Sequence, residues 1–174
     1  LVVDDNSPDG TADLARAASA ELGQIDVLVN NVGLLSHAHQ ITSEGREQTF
    51  TTNLLSHYVL TEGLIRGEAF QMKRPLVINM TSGGGYNVAL STRALNTLDQ
   101  KKYNGTLAYG WHKRAQMVLN QHWRDTYGQR GFNFYVMHPG WADTDGVKTA
   151  LPRFREVLKA VLRDEKSGTD TAIW

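Results

Sequence analysis

The 174-residue chain contains no cysteine, which excludes disulfide frameworks, thiolate nucleophiles and cysteine-ligated zinc. It has no excess of either charge, with 18 Lys and Arg against 18 Asp and Glu. That balance gives no general attraction to nucleic acid or to an anionic membrane. No apolar run approaches the roughly 20 residues that a membrane-spanning helix needs. No signal peptide is visible, and on that ground the chain is read as cytoplasmic. It begins at Leu1 rather than Met, inside a strand-like run, so a preceding segment is expected. There is no internal repeat and no linker. What remains is ordinary globular usage, 41% hydrophobic and 21% charged, at a length suited to one domain with a real core.

Short apolar runs alternate with amphipathic stretches. Leu1-Val2-Val3-Asp4 reads as a buried strand and its exit. Ser7-Pro8 opens a helix that Gly23 stops. Residues 25–29 form the next strand and run into the polar turn Asn30-Asn31-Val32-Gly33. The pattern predicts a long helix over 43–65, a strand over 75–80, a loop over 86–104 and a helix over 106–127. In that last helix Leu107, Trp111, Ala115, Val118 and Leu119 recur at helical spacing. A strand over 132–137 follows, then helices over 153–163 and from 167 onward. Strands apolar on both faces, alternating with helices, belong to a parallel sheet covered on each side, an α/β fold. In such sheets ligands sit beyond the carboxyl ends of the strands. Asp4, Asn30-Asn31, Ser82 and Pro139-Gly140 all follow a predicted strand.

Tyr109 and Lys113 stand at i, i+4, so one helix face carries both within mutual reach. A phenol titrates near ~10, and a neighbouring ammonium favours the phenolate, which makes the pair a candidate acid/base. Spacing alone is equally met by a half-exposed helix face. Ser82 ends a strand upstream and could donate to a carbonyl oxygen at the same mouth. Asn53 lies on the long helix before that strand, where its amide could hold a proton-relaying water or simply cap a loop.

Together these residues resemble the short-chain dehydrogenase/reductases. Asp26-Val-Leu-Val-Asn-Asn-Val-Gly33 is similar to that family's Asn-Asn-Ala-Gly turn, with Val32 in the place of Ala. Asn53 matches the Asn of the following helix, and Asn79-Met-Thr-Ser82 the strand that delivers a catalytic Ser. Tyr109-Gly-Trp-His-Lys113 matches Tyr-x-x-x-Lys, Pro139-Gly140 through Thr144 the Pro-Gly segment, and Asp4 the acid that contacts adenine. The matches keep family order from residue 1 to about 150. The loop ahead of Tyr109 resembles the retinol-dehydrogenase-like branch. The stretch from His138 to Val147 is similar to the subgroup called dehydrogenase/reductase family member 12, which brings no firm substrate.

The resemblance implies a Rossmann-type doubly wound parallel sheet and an NAD(P)-dependent oxidoreductase interconverting a carbonyl and an alcohol. Its cofactor would be NADP or NAD, and its partner a small-molecule carbonyl or alcohol. It implies Tyr109 as general acid or base, Lys113 as the group that lowers its pKa and binds ribose, Ser82 on the substrate oxygen and Asn53 behind the relay water. Asp4, Asn30, Asn31, Val32, Gly33, Pro139, Gly140 and Thr144 would line the cofactor. A homodimer or homotetramer through the long helices is implied as well.

One departure is large. The Gly-x-Gly-x-x-Gly turn is absent, and Gly83-Gly84-Gly85 has the wrong spacing and place to replace it. At about 30 residues per strand–helix unit, roughly 60 residues carrying the first two strands are expected to precede Leu1. The last strand is expected beyond Trp174, so these 174 residues read as a single partial dinucleotide-binding domain. The family's strand order leaves Leu1–Asp4 without a neighbour and bares an apolar edge at 26–30, so weak cofactor binding is expected of these residues alone. A truncated scaffold on the same fold is the alternative function. A Ser82/His138/Asp143 hydrolase triad lacks the Gly-x-Ser-x-Gly elbow. His37 and His39 lack a third metal ligand and read as loop histidines, His112 as a variable helix position. Trp111, Trp123, Trp141 and Trp174 read as core or interface residues, and Lys101, Lys102, Arg153 and Arg155 as solvated charges.

Overall fold

A computed structural model describes residues 2–3, 20–21, 25–70 and 72–173. Asp4 and nearly all of the helix expected over 7–23 lie outside them. Four parallel strands make one sheet in the order β1 (Val2–Val3), β2 (Val27–Asn30), β3 (Leu76–Met80), β4 (Asn133–Met137). Leu28 pairs with Val77 and Val77 with Phe134, so β2, β3 and β4 run in step. The expectation that Leu1–Asp4 lacks a neighbour is corrected: Val2 and Val3 pair with Leu28 and Val29. The unpaired N–H and C=O groups along β2 take the strand within reach, as an open edge does.

The long helix before β3 is not continuous. Gly45, at φ 74°, turns the chain, so helix begins only at α1 (Gln48–Phe50), later than expected. The buried Glu47 carboxylate caps it, accepting from Thr49 N and Phe50 N at 2.8 Å each. A π-helical turn, Thr51–Leu55, then leads into α2 (Ser56–Arg66). Hydroxyls compete for backbone acceptors through this stretch: Thr51 Oγ1 donates to the Glu47 carbonyl and Ser56 Oγ to that of Thr52.

The 83–104 segment winds through three short 3₁₀ turns before α3 (Gly105–Tyr127), which Asn104 caps. After β4 come α4 (Asp145–Ala150), α5 (Pro152–Leu158) and α6 (Glu165–Ile173). The first was not foreseen, and the second is shorter than the expected 153–163.

One face of the sheet carries Leu28, Val77 and Phe134, packed with Leu60, Leu64, Ile65 and Trp123 from α2 and α3. The same face turns polar at the carboxyl ends of the strands. Asn30 Nδ2 donates to Thr61 Oγ1 and Asn79 Oδ1, and Asn79 Nδ2 donates to Asn120 Oδ1, at 2.8–2.9 Å. This amide ladder ties α2, β2, β3 and α3 together. Glu62, also buried, accepts from Trp123 Nε1, Tyr127 Oη and Arg66 Nε at 2.9–3.0 Å, so its charge is fully partnered.

Helix α3 buries Ala115 and packs Leu119 on the core, as its apolar spacing suggests, but much of its buried face is polar. Leu107 and Val118 are exposed, while His112, Lys113, Gln116 and Asn120 are inside. Among the described residues no helix is long and apolar enough to cross a membrane. Leu28 has no exposed surface, so Leu28→Ala should lower unfolding free energy by about 2–5 kcal/mol in a denaturant titration.

Candidate functional site

The strand ends converge where α3 begins. Ser82 leaves β3 extended and caps the next turn, its Oγ accepting from Gly84 N at 3.3 Å. Gly85 is needed because the turn lies on α3: a Cβ there would meet Lys113 C and Arg114 N at 3.0 Å. The triple glycine therefore serves close packing, and it brings Gly84 to 3.8 Å from the Tyr109 ring as measured from its ideal Cβ. Tyr109 is half-buried, and the Lys113 ammonium lies 5.5 Å from its ring centroid. Burial pushes the phenol's pKa up, while the Ser82 hydroxyl pulls the other way. The expected lowering is thus not seen in the protein alone, where desolvation sets the direction.

Lys113 is the buried cation of the site, 2% exposed. Its Nζ donates to the Met80 carbonyl at 2.8 Å, the one acceptor it has among the described residues. Burial lowers its pKa from 10.5 to about 7. Gly33 makes room for it, since a Cβ there would stand 3.1 Å from Nζ. An ammonium has three N–H groups, so two remain for a ligand bearing hydroxyls, beside a turn with no side chain at Gly33. These residues fit the ribose half of a nicotinamide dinucleotide.

Asn53 sits on the π-helical turn and is wholly buried. Its side chain does not stand open for a water. Oδ1 accepts from Leu34 N at 2.6 Å, and Nδ2 donates to the Leu34 carbonyl at 2.8 Å and toward His112 Nδ1 at 3.4 Å. Its own carbonyl accepts from Gln116 Nε2 at 2.6 Å. Gln116 Nε2 also lies 3.0 Å from Nδ1 of the buried His57, whose pKa burial lowers to about 3.

The remaining cofactor candidates divide. Asn31 and Gly33 are exposed and Val32 is half-buried, whereas Asn30 is fully buried in the amide ladder, so its side chain serves the sheet. Pro139 and Gly140 belong to a separate packing unit. Arg163 bonds the backbone of Trp141 and Asp143, and Gly168 packs against Pro139 and Ala142. Thr144 caps α4, its Oγ1 accepting from Val147 N at 3.3 Å. Trp141 is exposed and stacks edge-on against Phe154.

Two sequence readings are corrected. Arg155 is no free solvated charge: it grips Asp143 through Nε and Nη2 at 2.6 and 2.9 Å, holding that carboxyl below its usual range. This also removes the acid of the hydrolase triad. His112, read as a variable helix position, is fully buried with both ring nitrogens bonded. His37 and His39 each reach a backbone carbonyl, Ala150 and Thr97, and no three-residue metal cluster occurs among the described residues. Sequence reasoning missed His57, His112 and Gln116. The signal was there in the polar spacings Asn53-His57-Thr61 and Lys113-Gln116-Asn120, which put polar residues on helix faces that also carry core.

The sheet and the site define a class first, an open parallel α/β fold with its polar groups at the strand ends. Residues 1–153 match the family model described as short chain dehydrogenase, and the chain belongs to that family. It is 38% identical over 152 residues to human dehydrogenase/reductase SDR family member 12, covering 87% of this chain and 46% of that protein. Mouse retinol dehydrogenase 13 is 28% identical over 134 residues, covering 76% and 39%. The chain thus spans about half the length of the curated relatives it matches. Among solved structures, a short chain dehydrogenase from Burkholderia cenocepacia in complex with NADP superposes with a TM-score of 0.70 at 18% identity. That match covers 99% of this chain and 67% of the other and shares its fold.

Burying the Lys113 ammonium costs stability at neutral pH. The unfolded lysine keeps its proton up to 10.5 and the folded one only to about 7, so the folded protein regains stability as pH rises between those values. Lys113→Met should therefore raise the melting temperature at about pH 6 to 7, and the gain should shrink as pH climbs toward 10 in a series of thermal melts.

Proposed function

We propose that this chain carries the catalytic part of an NAD(P)-dependent oxidoreductase that interconverts a carbonyl and an alcohol. The observation that carries the reading is the placement of Tyr109 and Lys113 on one face of α3, beside Ser82 at the end of β3. Family membership supports it, as does the NADP complex of the Burkholderia relative.

The nicotinamide, when bound, supplies or accepts the hydride. Lys113 would hold the ribose hydroxyls with its two remaining N–H groups, and the turn Asn31–Gly33 would border the ring. The Pro139–Gly140 and Thr144 segment would line the far side. In the reducing direction Tyr109 gives its phenolic proton to the substrate oxygen, which the Ser82 hydroxyl orients; in oxidation Tyr109 takes it back. Burial keeps the Tyr109 phenol protonated near neutral pH, so it holds the proton that reduction requires. With its pKa near 7, Lys113 can hold or release a proton in the same range. Asn53 secures the Leu34 backbone and through it the turn. The exposed apolar residues Tyr58, Val59 and Val118 on the two long helices support a homodimer or homotetramer.

Tyr109→Phe in the intact protein should lower turnover of small aldehydes or ketones by about 10²- to 10⁴-fold while leaving the dissociation constant for NADPH within a few-fold. Stopped-flow hydride transfer and nucleotide fluorescence read the two separately, and full turnover in the variant refutes the assignment.

A further inference from the structure

His112 lies inside the Tyr-x-x-x-Lys stretch, yet the reaction as proposed does not use it. It is wholly buried, and its two nitrogens face opposite sides of the site. Nδ1 lies 3.4 Å from Asn53 Nδ2, and Nε2 lies 2.8 Å from the Leu95 carbonyl. An amide N–H can only donate and a carbonyl can only accept. The ring is therefore neutral, bare at Nδ1 and protonated at Nε2. Burial lowers the pKa of His112, which keeps that neutral form, with the Glu47 carboxylate and the Lys113 ammonium as the charges that act on it.

The partners on each side matter. Asn53 is bonded to both the N–H and the C=O of Leu34, the residue next to the Asn31–Gly33 turn. Leu95 belongs to the segment that connects Ser82 to Tyr109. That segment is caught at three successive residues by three different elements. His112 holds Leu95, Glu47 N donates to Asn96 Oδ1 at 2.8 Å, and His39 Nε2 lies 2.8 Å from the Thr97 carbonyl. Its earlier part packs on α3 beside the catalytic tyrosine, since Val88 methyls would lie 3.3–3.4 Å from a Cβ at Gly110. A continuous hydrogen-bonded chain thus runs Leu34–Asn53–His112–Leu95, from the proposed cofactor turn to the wall of the proposed substrate site.

We infer that His112 is a positioning residue that couples the turn at residues 31–34 to the loop at residues 92–97, so that order at one is transmitted to the other. The coupling is mechanical: the imidazole links the Asn53 amide, which holds Leu34, to the Leu95 carbonyl. Its role beside a dinucleotide rests on the oxidoreductase reading, but the bridge itself does not.

Hydrogen exchange read by mass spectrometry on the intact protein tests it. His112→Phe keeps a buried aromatic ring and makes neither bond. Peptides covering 92–97 should exchange on the order of tenfold faster, and those covering 31–34 should quicken with them, as expected for losing about one hydrogen bond on each side. Peptides around Val77 and Trp123 should keep wild-type rates. His112→Gln, whose amide can accept from Asn53 and donate to Leu95, should restore both segments. NADPH should slow 31–34 and 92–97 together in the wild type, but 31–34 alone in His112→Phe. Unchanged loop rates in His112→Phe, or a joint NADPH response that survives it, overturn the inference. Where His112→Phe fails to fold, His112→Gln decides: wild-type rates at both segments support the bridge, and fast exchange at 92–97 with 31–34 unmoved overturns it. NADPH without effect on either wild-type segment counts against the oxidoreductase reading, and the nucleotide-free variants then decide the coupling.

Discussion

The constraint on which the site depends is a positive charge held out of water. Lys113 has one backbone carbonyl for its ammonium and a neighbour without a side chain at Gly33. Desolvation of this kind is unfavourable, and a fold chosen for stability alone would place an apolar residue there. Much of the local architecture serves to keep the lysine in place. Thr81 Oγ1 bonds the Lys113 carbonyl, Gly85 lets the strand-end turn lie flat against α3, and the amide ladder locks α3 to β2 and β3 about two turns further on. The protein leaves this ammonium under-partnered, with one acceptor among the described residues for its three N–H groups.

Around this centre the interior is unusually polar for an α/β core. Asn30, Asn53, Asn79, His57, His112, Gln116 and Asn120 are all buried, and most are bonded to one another or to backbone. Such networks specify one arrangement of the helices over the sheet, since any slip leaves several amides unpaired at once. The apolar cluster of Leu28, Val77, Phe134 and Trp123 supplies burial further from the strand ends, so driving force and geometric precision occupy different ends of the same face.

The sequence made the sheet legible because β2, β3 and β4 are apolar, short and separated by helices, and the Tyr109–Lys113 spacing placed both residues on one helix face without further information. The starts of helices were less legible. Gly45 and the Glu47 carboxylate decide where α1 begins, and neither alters the hydrophobic period that suggested residue 43. Helix α3 misled in a more instructive way. Its apolar residues Leu107 and Val118 face outward while His112, Lys113 and Gln116 face in, because its first half meets the polar strand ends and only further along does Trp123 enter the core. The Tyr109–Lys113 charge pair suggests a lowered phenol pKa, but burial raises it in the protein alone, against the pull of the Ser82 hydroxyl. The Arg155–Asp143 clasp joins α5 to the loop before α4, twelve positions apart, where no period could announce it.

The π-helical turn at Thr51–Leu55 makes the register of this helix indivisible. Each residue of an α-helix advances the screw by about 100°, so trimming a single residue here to restore a regular helix would swing everything before it by that angle relative to α2. Asn53 would leave the side that carries His57 and Thr61, and Leu34 would lose the side chain that bonds both its N–H and its carbonyl. Surface loops tolerate insertions and deletions, but at this one stretch length itself fixes where the Asn53 side chain stands.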